Sequence, residues 1–180
     1  MHSNTIASVV YAGVFLACLG IMQGQGTVSA KKNKSEIKRV VSAFASAVAC
    51  GGEIKDQNII TMVPYTSEED QYDARYAVLW YGDWACAGGS GTSGWHLSLV
   101  KVSMGYFYVV TSCSGNSDDY WRNVHRIVGN TKNTITLEIC DYGSDDANCC
   151  PSVKKRITIK LNDEAESWKE IGSKTIGRCE

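Results

Sequence analysis

The sequence predicts an α+β domain: an N-terminal amphipathic helix packed on an antiparallel sheet of six or seven strands and stapled by disulfides. Three observations carry this. Apolar residues recur at helical spacing between Ser35 and Val48, and apolar and polar residues alternate through most of the chain beyond Gly52. Eight cysteines stand in 180 residues, a density that belongs to exported, cross-linked domains. The composition is that of a folded chain, with 44% hydrophobic and 21% charged residues. A net charge of −1 argues against a general nucleic-acid binder, which needs a positive surplus for the phosphate backbone.

Residues 1–30 hold no Lys, Arg, Asp or Glu, and Thr5 to Met22 is an unbroken apolar run. Val28-Ser29-Ala30 places small residues just ahead of Lys31, so the segment reads as a secretory signal peptide removed after Ala30. Two other readings stay open. Phe15-Leu16-Ala17-Cys18 resembles a lipobox, which would make the chain a membrane-anchored lipoprotein, and the apolar run is close to the length of a spanning anchor. All three export residues 31–180, which are read as one disulfide-rich domain in the periplasm or outside the cell.

The helix comes first. Ile37, Val40, Val41, Phe44 and Val48 form one apolar stripe, Ser35 can cap its start, and Gly51-Gly52 ends it. From Lys31 to Lys55 the local charge is +4, on a face expected to be solvated. Strands are then predicted at 58–65 and 75–81, separated by the acidic turn Ser67–Asp73. Strands 95–103 and 106–112 form a hairpin across Met104-Gly105. Strand 122–128 leads through a polar turn to 134–140, where Ile135, Leu137 and Ile139 alternate with Thr134, Thr136 and Glu138. Strand 156–161 repeats that scheme.

Loss of Cys18 with the signal leaves Cys50, Cys86, Cys113, Cys140, Cys149, Cys150 and Cys179 as the disulfide framework, with one thiol left over. Cys86 and Cys113, at the ends of neighbouring predicted strands, are expected to bridge. Cys179 is expected to hold the C-terminal tail through Cys140, Cys149 or Cys150. Adjacent strand residues face opposite ways, so Cys149 and Cys150 are expected to reach two different partners. There is no CxxC, and neither His96 nor His125 has a cysteine at ligand spacing, so no metal is expected.

Several motifs lose to simpler accounts. Gly89 to Gly94 matches GxGxxG, but a strand follows it where a dinucleotide site needs a helix, so no cofactor is expected. Asp83, Cys86 and His96 could be assembled into a thiol-protease set, yet a bridged Cys86 is no nucleophile. The loop Asp141 to Asn148 gathers oxygen ligands without calcium-loop spacing. Asp83 and Glu138 are a carboxylate pair only if the fold makes them face one groove. The aromatic residues are more informative. Trp84, Trp95, Tyr120 and Trp121 fall at strand ends or in loops, where exposed rings make contact hot spots. With Asp83 beside them and Asp145 and Asp146 as an electrostatic lure for a basic partner, these seven residues form the expected binding set.

Two segments carry a resemblance. They are Tyr81 to Thr92 (YGDWACAGGSGT) and Tyr142 to Ser152 (YGSDDANCCPS), together 23 of 180 residues. The second is similar to the Cys-Cys-Pro-Ser segment of small bacterial envelope proteins, including the LppP/LprE group of lipoproteins. The resemblance implies an exported bacterial protein with these cysteines bridged, and it carries no catalytic residues. The weak lipobox at Cys18 is a departure from that group.

The functional expectation is a non-enzymatic periplasmic binding protein that engages a protein partner, as an inhibitor or immunity factor against an envelope-active toxin or hydrolase. A structural accessory of a secretion, conjugation or pilus system, docked by the helix or by an intermolecular cysteine bridge, is the second reading. A small envelope hydrolase is the third, and it lacks a recognisable nucleophile, base and stabiliser.

Overall fold

The computed structural model describes residues 30–88, 92–114, 123–147 and 149–179. The signal segment, Tyr120, Trp121 and part of the glycine-rich run lie outside the described residues. The described residues form one α-helix, α1 (Ala30–Val48), and then nine strands. These are β1 (Ala49–Gly51), β2 (Ile59–Val63), β3 (Arg75–Trp84), β4 (Ser93–Ser103), β5 (Tyr106–Val110), β6 (Asn123–Asn130), β7 (Thr134–Asp141), β8 (Val153–Asn162) and β9 (Ser167–Arg178). Among the described residues no helix is long and apolar enough to cross a membrane.

The mixed α+β class and the disulfides hold, but the expected single sheet of six or seven strands is corrected. The strands form two antiparallel sheets. One has five strands: β3, β4 and β5 are consecutive, and β1 and β2 share the outer edge of β3. The other is a β6-β7-β8-β9 meander. The sheets stack face to face, and α1 covers the far side of the five-stranded one, giving three layers. The reason lies in β3 and β4. Tyr76 to Trp80 is buried without interruption, as a strand must be when both its faces are covered. Tyr76, Val78 and Trp80 meet Ile37, Val41 and Ala45 of α1. Ala77 and Leu79 point the other way, into a second core with Leu137, Ile157 and Ile159.

The hairpin at Met104-Gly105 forms where the sequence places it. Both residues are left-handed, with φ of 51° and 79°, which suits the tight turns that match strand twist. Two strands were missed: the short β1, at Ala49–Gly51 where the sequence reads the end of the helix, and β9. Beyond Trp168 its residues are exposed up to Cys179, and two irregularities break its register, so no apolar alternation marks it.

Among the described residues three disulfides form: Cys50–Cys86, Cys140–Cys179 and Cys149–Cys150. They place the domain in an oxidising compartment. Cys179 finds one of its expected partners. The expected Cys86–Cys113 bridge is corrected, because Cys113 turns into the core between the sheets with its thiol toward the Val110 carbonyl. Cys149 and Cys150 lie in a loop, not on a strand, so strand alternation does not separate them, and they bridge each other.

Candidate functional site

Two adjoining concavities run along β6, an edge strand of the four-stranded sheet. Its register slips twice, between Val124 and Arg126 and between Ile127 and Gly129. Such bulges re-aim side chains and bend an edge away from pairing. Val124 and Ile127 pack against the inter-sheet core, while His125 is exposed.

Two clefts meet at Val124 and His125. One, of about 390 Å³, is walled by Trp95 and Leu79 from the five-stranded sheet and by Lys55, Gln57 and Asn58 from the turn before β2. The other, of about 530 Å³, is lined by Asn123, Ser152, Pro151 and both the Cys140–Cys179 and Cys149–Cys150 disulfides. They adjoin along β6 as a two-part groove, aromatic and amide-rich in the first cleft and floored by cross-linked backbone in the second. Trp95 is half-buried, with its ring against Tyr81 at 5.7 Å in an edge-on contact, which holds its orientation.

The second cleft is braced by Asp146. Its carboxylate accepts hydrogen bonds from the Gly143 and Ser152 amides, each at 2.7 Å, and from the Ser152 hydroxyl at 2.7 Å. The Gly143 amide, then the Ser152 hydroxyl and amide, hold this carboxyl below the ordinary range. Asp146 is therefore committed inside the loop, while its neighbour Asp145 projects into solvent.

Asp83 has a similar local task. The Thr92 hydroxyl and then the Gly88 amide hold its carboxyl low, with Gly88 at 2.9 Å, so it closes the loop between β3 and β4. Ala85 and Cys86 in that loop are left-handed, and Cys86 ties it to β1. Trp84 lies on the helix-facing side with Trp80, and its ring sits 5.5 Å from that of His96. His96 is buried, with Nε2 3.2 Å from the Gly82 carbonyl, and burial pushes its imidazole below the usual value against the pull of that carbonyl. Trp84 and Trp95 are thus on opposite faces of one sheet and do not form one surface. Tyr120 and Trp121 precede β6 in the chain but lie outside the described residues.

The chemical assemblies weighed from the sequence come apart. Cys86 is bridged, and Glu138 sits on the outer face of the four-stranded sheet, held by Arg126 and Arg156, well removed in topology from Asp83. Among the described residues no group of three His, Cys, Asp or Glu side chains is placed to hold a metal ion. What the sequence reading missed is the convergence on His125, together with Gln57 and Asn58. The signal was absent because register slips and the meeting of two sheets leave no local pattern.

No family model, no curated protein and no solved structure matches this chain. The groove along β6 must therefore be read from its own chemistry.

Proposed function

We propose that the chain is a non-enzymatic binding protein of the bacterial envelope, acting in the periplasm as an inhibitor or immunity factor toward a toxin or hydrolase. The supporting observation is that Trp95, from one sheet, and His125, from the other, line one groove. An edge-locked aromatic anchor beside polar groups is the composition of a contact hot spot. Cross-linked loops reduce the ordering cost that a partner would otherwise meet on binding. The exposed Asp145 lies in the same loop as the disulfide floor and offers a charge for a basic partner.

Among the described residues the cysteine outside the three bridges, Cys113, is only 2% exposed and gives the accessory reading no covalent route without opening the core.

The test is inhibition and capture together. The purified protein is assayed against a panel of envelope muramidases, amidases and endopeptidases, and immobilised against periplasmic extract. Saturable inhibition or retention that falls at least tenfold in Trp95→Ala and His125→Ala supports the reading. Retention unaffected by both substitutions removes the groove from it. Turnover of a wall substrate by the purified protein would replace the reading with that of a hydrolase.

A further inference from the structure

The outer face of the four-stranded sheet carries a different feature, which adjoins the groove at Arg126 and Cys140. Ile135, Leu137 and Ile139 of β7 are buried against the core, so Thr134, Thr136, Glu138 and Cys140 face outward. The strand register carries that outward set across the sheet. Arg126, Glu138, Arg156 and Lys174 stand side by side, one from each strand. Lys154 lies beside Cys140 at one end, and Lys160 faces Lys169 at the other. Thr136, Thr158 and Gly172 form the row between.

The face therefore holds six cations and one carboxylate, in a chain whose net charge is −1. Glu138 is only 2% exposed, beneath Arg126 and Arg156, so an approaching partner meets cations. Nearby acids are committed elsewhere: Asp163 to Arg75, Glu166 to Lys101 and Ser112, Asp141 to Lys155. Glu170 pairs across from the buried Ile159, on the other side of β9, while Glu164, exposed in the β8–β9 turn, borders the patch at the Lys160–Lys169 end and is, among the described residues, its one nearby acid without an ion pair. Arg156 opposite Lys174 is offset by Glu138, but Lys160 opposite Lys169 is a like-charge pair with no such partner across the register, and it weakens a sheet. An arrangement that works against the fold calls for a reason outside it.

We infer that this face docks on an anionic lipid bilayer, through the phosphates of its headgroups. At the usual strand spacing the patch measures roughly 15 by 20 Å, so all its charges lie within about two Debye lengths. It is a two-dimensional array with short Thr and Gly side chains between the cations. That matches a plane of single phosphates better than one multiply charged ligand, which needs donors converging on a point. The outward positions of β7 and β8 carry no aromatic ring, so there is no platform on which bases of a single strand could stack. This inference does not rest on the groove: docking by this face leaves α1 on the far side of the molecule.

The experiment is vesicle co-sedimentation of the full chain. One vesicle set contains about one-third phosphatidylglycerol and the other is phosphatidylcholine alone, each at about 0.1 M and 0.5 M salt. Insertion of the apolar N-terminal run would act on both sets, so the readout is their difference. Wild type is expected to partition several-hundredfold better into the anionic set, and to lose that preference at high salt. Neutralisation of one cation should weaken the preference about fivefold, and Lys160→Gln, Lys169→Gln and Lys174→Gln together about a hundredfold. The corresponding Glu variant should abolish it, with circular dichroism confirming the fold. Equal partitioning into both vesicle sets overturns the inference, as does full preference in the triple Gln variant. Salt-sensitive binding to heparin or single-stranded DNA without binding to anionic vesicles also overturns it, by assigning the face to a soluble polymer.

Discussion

Arg156 donates from Nη2 to Oε1 of Glu138 at 2.7 Å, directly across the β7–β8 register, and Arg126 grips the same carboxylate from β6 with Nε at 2.8 Å and Nη2 at 3.1 Å. One carboxylate thus joins three strands. The hydrogen bonds from Arg126, then those from Arg156, pull its pKa from 4.5 down to about 2. The folded state therefore holds its proton less tightly than the unfolded chain does, and the contribution is complete above about pH 4.5. It is lost as the pH falls through about 2. The thermal midpoint of the wild type should drop across that interval. Glu138→Gln should start lower at neutral pH, with two uncompensated arginines, and show a flatter acid limb. Superimposable limbs would remove Glu138 as the cause.

His96 sets a second pH dependence in a different range. Its ring lies 4.6 Å from Trp80 and 5.5 Å from Trp84, and burial lowers its pKa below 6.5. The unfolded chain then takes up a proton that the folded chain refuses, so stability falls as the pH drops below 6.5 toward the depressed value. Urea midpoints measured from pH 8 downward should show this slope in the wild type and lose it in His96→Gln. A slope that survives the substitution would point to another group.

The fold was legible where each strand has one wet face. In β7 and β8 the alternation of Ile135, Leu137 and Ile139, and of Ile157, Ile159 and Leu161, states both the strand and its buried side. It was not legible where burial is two-sided or absent. Tyr76 to Trp80 read as a strand but did not say that two layers cover it, and so the second sheet went unseen. In β9, Gly172 and Gly177 interrupt a largely exposed run whose partner, β8, defines it. The site was legible in one residue of its groove, Trp95, because a ring at a strand end is visible in one dimension. His125 acquires its position only from a bulge and from the gap between sheets. Asp83 and Asp146 looked like surface charges and prove to be loop braces, which is what short acidic side chains next to free backbone amides often become.

Trp80 is the residue on which the helix–sheet layer rests. It is fully buried, meets Phe44 of α1 edge-on at 6.4 Å, and donates from Nε1 to the Ser98 hydroxyl at 2.9 Å. Trp80→Ala should destabilise the domain by about 3–5 kcal/mol in denaturant titration, from the lost burial and the cavity left behind. Trp80→Phe restores much of the area but leaves Ser98 without its donor, and should cost about 1–3 kcal/mol. A loss under about 1 kcal/mol for Trp80→Ala would mean that α1 contributes little to the folded state.

The three disulfides should differ sharply in what their removal costs. Cys50–Cys86 and Cys140–Cys179 close loops with sequence separations of 36 and 39. By loop-closure entropy each restricts the unfolded chain enough to contribute about 4 kcal/mol. Cys149 and Cys150 are neighbours, already held 3.8 Å apart at Cα by the peptide bond between them, so their bridge removes almost no freedom from the unfolded chain. The paired substitutions Cys50→Ser with Cys86→Ser, and Cys140→Ser with Cys179→Ser, should each lower the denaturant midpoint substantially. Cys149→Ser with Cys150→Ser should leave it within about 0.5 kcal/mol of wild type. Both members of the Cys149–Cys150 pair are solvent-exposed, whereas Cys140 and Cys179 are half-covered. Limited dithiol treatment followed by alkylation and peptide mapping should therefore label residues 149 and 150 before 140 and 179. A large stability loss on removing the 149–150 pair would show instead that this bridge organises the Asp146-braced loop, and with it the floor of the groove.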